Sequence, residues 1–135
     1  MAWDVFADWT LWPRFSDWYG SLRWTQGEPW KKGSRLRIEI LKPIHTHIDH
    51  VILVCEPGKR VAWIDHALGT TMEQWVFFEP LSGGGTRIHT WAEFTGIVTI
   101  VAGRPIRRVL QEFMYTWYNN YSAECNRRAT DGAVA

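Results

Sequence analysis

No apolar run in this chain of 135 residues approaches the roughly 20 residues that a membrane-spanning helix needs; the longest, residues 97–102, is interrupted by Thr99. The start, Met1-Ala2-Trp3-Asp4, lacks the basic segment and apolar core of an export signal, so a cytoplasmic location is expected. Cysteine is scarce. Cys55 and Cys125 form no Cys-x-x-Cys motif, and two free buried thiols are the expectation for a reducing compartment. No Gly-rich loop ends in Lys-Ser/Thr and no Gly-x-Ser-x-Gly occurs, which removes phosphate-loop nucleotide binders and nucleophile-elbow hydrolases. A net charge of +1 lacks the basic excess of a nucleic-acid binder. No motif asks for a cofactor, and no linker or repeat divides the chain. Residues 1–130 are therefore expected to form one domain, with residues 131–135 a frayed tail.

What the chain does have is tryptophan, ten in all. A small domain cannot easily bury ten indoles and give each N–H a partner. Some should line a cavity or meet another molecule.

The hydrophobic period changes twice. In residues 2–11, Trp3, Phe6, Ala7 and Trp9 fall near helical spacing, and Pro13 stops the run or opens another turn. Two short helices joined by a kink are predicted. From Leu22 to Gly96 the period is two, with Leu36, Ile38 and Ile40 alternating against Arg35, Arg37 and Glu39. Six strands follow, at residues 20–26, 34–42, 45–55, 60–67, 71–79 and 86–95. Turns such as Pro57-Gly58 are short, so the strands should form an antiparallel meander. In residues 104–128, Ile106, Val109, Leu110, Phe113, Trp117 and Tyr121 mark one long amphipathic helix, with Pro105 in its first turn. The class is α+β: a curved antiparallel sheet gripping a long C-terminal helix. The space between them is the natural cavity.

This order, and four stretches within it, resemble the START-like (SRPBCC) superfamily with its helix-grip fold, and most nearly its polyketide cyclase/dehydratase-like branch. The stretches are Trp3 to Trp18, with Asp8 between the turns; Glu56-Pro57-Gly58-Lys59-Arg60-Val61-Ala62-Trp63; Phe78-Glu79-Pro80 with Gly84-Gly85-Thr86-Arg87-Ile88; and Glu93-Phe94-Thr95-Gly96. The family opens with a strand before its first helix, and this sequence has none there. Either the sequence begins late or the domain lacks that strand, and a domain lacking it would leave a sheet edge open to a second copy. The resemblance implies three kinds of function: a binder of small hydrophobic, lipid-like or aromatic molecules, a cyclase or dehydratase, and a co-chaperone-like interaction module.

Alternation then assigns faces. With Glu79 and Arg87 as outward cross-strand neighbours, Met72, Gln74, Val76 and Phe78 point inward, opposite Ile88, Thr90, Ala92 and Phe94. Val51, Leu53 and Cys55 are expected inward with Val61 and Trp63, and the same parity brings in His47, Asp49 and Asp65. Trp63, Gln74, Val76, Phe78, Thr90, Phe94, Phe113, Trp117 and Tyr121 are the expected ligand-binding residues. Asp49, Asp65 and His47 are the candidate acid/base groups of the enzyme reading. His45, His47 and Asp49 share one strand face. They read as an exposed His-rich strand end, as a base at His47, or, with Asp65, as a metal site; no metal is assigned. His66 and His89 should face solvent. Arg104, Arg107 and Arg108 crowd a helix start that disfavours cations, so solvation or an anionic group must hold them there. Trp75, Phe77 and Trp91 fall on the outer face, an aromatic patch suited to a partner. The preferred reading is a small-molecule binder, without cofactor, nucleic acid or membrane insertion, and with the open edge or the Trp75/Trp91 face available to a homodimer.

Overall fold

The computed structural model describes residues 1–67 and 69–134. Helix α1 (Ala2–Ala7) ends at Asp8, whose side chain accepts from the Thr10 amide and starts the short 3-10 turn Trp9–Leu11. Helix α2 (Trp12–Phe15) has Pro13 in its first turn, where a missing N–H costs nothing. The expected kinked pair is present.

Strands β1 (Tyr19–Gln26), β2 (Arg35–Ile40), β3 (Thr46–Glu56), β4 (Arg60–Ala67), β5 (Thr70–Pro80) and β6 (Thr86–Gly96) form one antiparallel sheet in sequence order. Each boundary falls within two residues of the predicted one. The sheet edges are β1 and β6. Helix α3 (Ile97–Val134) is 38 residues long, or about 57 Å at 1.5 Å per residue. It starts seven residues before the predicted Arg104 and runs to Val134, into the stretch expected to fray, where Arg127 pairs with Asp131. Pro105 therefore lies inside the helix, and its leading turns stand clear of the sheet, with Ile97, Ile100 and Val101 exposed. The whole is α+β and helix-grip-like.

The core is aromatic and centres on Phe6. Its ring lies 5.3–6.3 Å from those of Trp12, Trp30, Trp63, Phe78, Trp117 and Tyr121. Most of these contacts are edge-on or tilted, as ring quadrupoles prefer. Polar handles are used as well. Trp12 Nε1 donates to the Phe6 carbonyl and Trp30 Nε1 to the Ala7 carbonyl, both at 2.8 Å. A short helix leaves its last carbonyls unpaired, and two indoles satisfy them. Tyr121 on α3 donates its hydroxyl to the Ala2 carbonyl at 2.7 Å, tying the two ends of the chain together. Trp24 and Trp30, unassigned from sequence, meet edge to face at 5.3 Å.

Tyr121 is 1% exposed. Tyr121→Phe should leave the Ala2 carbonyl without its donor and lower stability by about 1–2 kcal/mol, read from urea unfolding. Glu124 gives a second test. Arg127 and Arg128 hydrogen-bond its carboxylate and hold its pKa down at about 2, against an ordinary value near 4.5. A depressed folded-state pKa adds stability above the unfolded value that is lost as pH falls through the folded one. Acid titration should therefore destabilise the wild type more steeply between pH 4.5 and 2 than Glu124→Gln.

Candidate functional site

An apolar cavity of about 250 Å³ lies between the concave face of the sheet and α3. The N-terminal helices contribute Phe6 and Trp12 and the turn after them Trp18, β1 and β2 contribute Tyr19 and Ile40, the loop between β2 and β3 contributes Lys42, Pro43 and Ile44, and β3 contributes Thr46, Ile48 and His50. Trp63, Met72, Gln74 and Phe94 come from β4 to β6, and Leu110, Phe113, Met114, Trp117 and Tyr118 from α3. Drug-sized ligands occupy roughly 300–1,000 Å³, so this space suits a smaller body of one or two rings. A wider groove of about 900 Å³ runs between β6 and α3, and Phe94, Leu110, Met114 and Tyr118 line both spaces.

Of the expected ligand-binding residues, Trp63, Gln74, Phe94, Phe113 and Trp117 line the cavity. Val76, Phe78 and Tyr121 do not; they are buried in the core around Phe6. Thr90 lies in the groove and accepts from Gln74 Nε2 at 3.2 Å while donating to the Trp75 carbonyl at 2.8 Å. That pairing orients the Gln74 amide.

The acid/base expectations divide. Asp65 is inward and 3% exposed. His47 and Asp49 are not inward. His47 is exposed, and Asp49 is bound by Arg37 at 2.9 and 3.1 Å and by Arg35 at 3.3 Å. These arginines hold the Asp49 carboxyl below the usual range. The reason is a register irregularity in β3 between Ile52 and Val54. A bulge reverses the alternation on one side of itself. Cys55 keeps its expected inward place opposite Val61, but before the bulge the inward set is Thr46, Ile48, His50 and Ile52, with Val51 turned outward beside Asp49 and His47. The row His45, His47 and Asp49 therefore faces away from Asp65, and His45 pairs with Glu39 at 2.9 Å. Cys55 and Cys125 are free and half-buried, and burial raises both thiol pKa values.

The residue missed is His50. One step beyond the Val51–Ile64 pair, it stands opposite Asp65, and its Nδ1 hydrogen-bonds Asp65 Oδ1. It is 4% exposed and stacks on Trp63 with centroids 4.8 Å apart. The other oxygen, Asp65 Oδ2, is buried without a partner. Cross-strand charge pairing held the signal: with Arg37 outward on β2, the opposite Asp49 must be outward as well, which turns His50 inward. Tyr19 and Tyr118 also line the cavity. Burial, with smaller contributions from Tyr118 and Asp65, raises the Tyr19 pKa well above that of an ordinary phenol. Burial pushes Tyr118 to about 12, against hydrogen bonding by Thr90 and Gln74. Both phenols therefore stay protonated and can donate.

On the outer face, Trp75 and Trp91 lie opposite each other and stack at 6.0 Å, as the register predicted. Glu79 likewise faces Arg87. His66 and His89 are exposed.

Neither a family model nor a curated protein matches the chain. Solved structures share its fold. A hypothetical protein of Helicobacter pylori, jhp0584, superposes with a TM-score of 0.76 at 15% identity, covering 91% of this chain and 77% of its own. A conserved protein of Geobacillus kaustophilus gives 0.70 at 12% identity, covering 93% and 86%. At these identities the likeness shows the fold alone. Among the described residues no helix is long and apolar enough to cross a membrane.

Because His47 and Asp49 lie outside the cavity, His47→Ala and Asp49→Asn should leave uptake of an apolar probe unchanged. Asp49→Asn should cost at most about 1 kcal/mol, as for a partly exposed ion pair. Calorimetric probe titration and urea unfolding of the two variants check this.

Proposed function

We propose that this chain is a START-like binding domain that takes up a small apolar or aromatic molecule between its sheet and its long helix. The observation that carries this reading is the cavity itself. It lies within the grip, its walls are almost wholly aromatic and aliphatic, and a few polar groups stand at fixed points in them. Cores are normally packed to crystal-like density with few voids. An apolar space of about 250 Å³ is therefore more than a packing fault, and an apolar occupant recovers the lost contacts. Gln74, held by Thr90, and His50, held by Asp65, are oriented before any ligand arrives, which lowers the cost of binding. The stretches that resemble the START-like family support the same reading, and the free thiols of Cys55 and Cys125 suit a reducing location.

N-phenyl-1-naphthylamine should bind saturably, gain fluorescence and quench tryptophan emission, since Trp12, Trp18, Trp63 and Trp117 line the space. Ile48 faces the cavity, and Ile48→Trp should fill part of it and weaken probe binding by at least about tenfold, with thermal unfolding little changed. Absence of saturable binding to the wild type, or equal affinity in Ile48→Trp, would sink the proposal.

A further inference from the structure

One part of the cavity wall differs from the rest. His50 sits there with a carboxylate behind it: its Nδ1 is turned to Asp65, which does not line the cavity, and Nε2 lies across the ring. We propose that His50 and Asp65 form a proton-transfer centre, and that the occupant is a carbon acid, a ketone with an apolar body of one or two rings, which the protein tautomerises. The proposal rests on the binding reading above and assigns a chemistry to the same cavity.

The pair is built for orientation. Asp65 accepts a hydrogen bond from Nδ1–H and so fixes the tautomer that leaves a lone pair on Nε2. Stacking on Trp63 at an interplanar angle of 23° holds the ring plane. A buried carboxylate is costly unless paired, yet a histidine serving only to pair it has no need to reach the cavity surface. His50 does reach it. The dyad therefore has the parts of a general base with its orienting group.

The step balances without a further reactant. Nε2 takes a proton from the carbon next to the ligand carbonyl. The C–H bond breaks, an N–H bond forms, the C–H electron pair becomes the enolate double bond, and the carbonyl oxygen takes the negative charge. Tyr19 and Tyr118, both protonated, line the same cavity and are the available donors to that oxygen. The imidazolium, stabilised by Asp65, then returns the proton to the same carbon or to a conjugated one. His50 is the catalytic residue, and Asp65 is a positioning residue that acts through it.

The test uses 2-tetralone in deuterated buffer. Loss of its α-proton signals is followed by proton NMR, and its binding by tryptophan quenching. The wild type should accelerate exchange over buffer. His50→Gln should lose about 100-fold of that acceleration and Asp65→Asn at least about tenfold, in the range of general-base catalysis. Both should bind 2-tetralone within about threefold of wild type, a separation of rate from affinity that a merely structural pair would not give. His89→Gln, on an exposed histidine, should exchange at the wild-type rate. Bound 2-tetralone with no acceleration, or equal rates in wild type and His50→Gln, overturns the proposal and leaves the binding reading standing. Uptake of N-phenyl-1-naphthylamine without uptake of 2-tetralone overturns the assigned ligand class, and uptake of neither overturns both readings. Should His50→Gln fail to fold, the cavity-filled Ile48→Trp decides: it keeps the dyad, and wild-type exchange in it would place the chemistry elsewhere and refute the proposal.

Discussion

The packing of Phe6 is the constraint on which the rest of the molecule depends. Helix α1 has only six residues, too few to be stable alone. It persists because Phe6 inserts among rings from β4, β5 and α3, and because indoles of Trp12 and Trp30 take the carbonyls that the helix cannot satisfy itself. Tyr121 fixes the start of the same helix to α3. The N-terminal segment thus becomes a plug at one end of the grip. The plug packs against both the sheet and α3, and its rings Phe6 and Trp12 line the cavity.

The same cluster accounts for half of the ten tryptophans. Trp3, Trp12, Trp30, Trp63 and Trp117 share one network of ring contacts around Phe6. Trp12, Trp63 and Trp117 have one side in this network and another on the cavity, so the rings that stabilise the plug also shape the site. Trp75 and Trp91 belong to a separate outer stack with Phe77, and Arg60 lies over the Trp75 ring at 5.9 Å. An aromatic wall offers broad dispersion contact and little directional bonding, so directional bonding in the cavity falls to the few polar groups, His50, Gln74 and the two tyrosines.

The fold was legible because its signals are periodic over long stretches. Alternation in β2, the Glu79–Arg87 pair and the i, i+3, i+4 stripe of α3 each concern many residues, so one exception does not mislead. The site was legible only in part, because it hangs on a single extra residue. Between Thr46 and Glu56 both parities contain apolar residues: Ile48 and Ile52 on one, Val51 and Leu53 on the other. The pattern cannot show where the bulge falls. Counting back from Cys55, whose placement is correct, sends His47 and Asp49 inward and His50 out. The cross-strand partners Arg37 and Asp49 break the tie, but only once the β2–β3 register is known. Likewise, Pro105 marks a first helical turn by local rule, whereas the helix begins at Ile97.

Phe94, Leu110, Met114 and Tyr118 form the partition between the cavity and the groove beside β6. Its members differ in how freely they can yield. Tyr118 is half-buried, its ring is edge-on to both Trp117 and Tyr121, and its hydroxyl is coupled to Thr90 and Gln74, so its position is strongly determined. Met114 is unbranched and adapts its rotamers at little cost. On the groove side, Met114 is therefore the member of the partition that yields most readily. The edge position of β6 leaves that groove uncovered by a further strand. The sheet edge and the groove are in this sense one feature, since the strand at the margin is also the one that walls the groove.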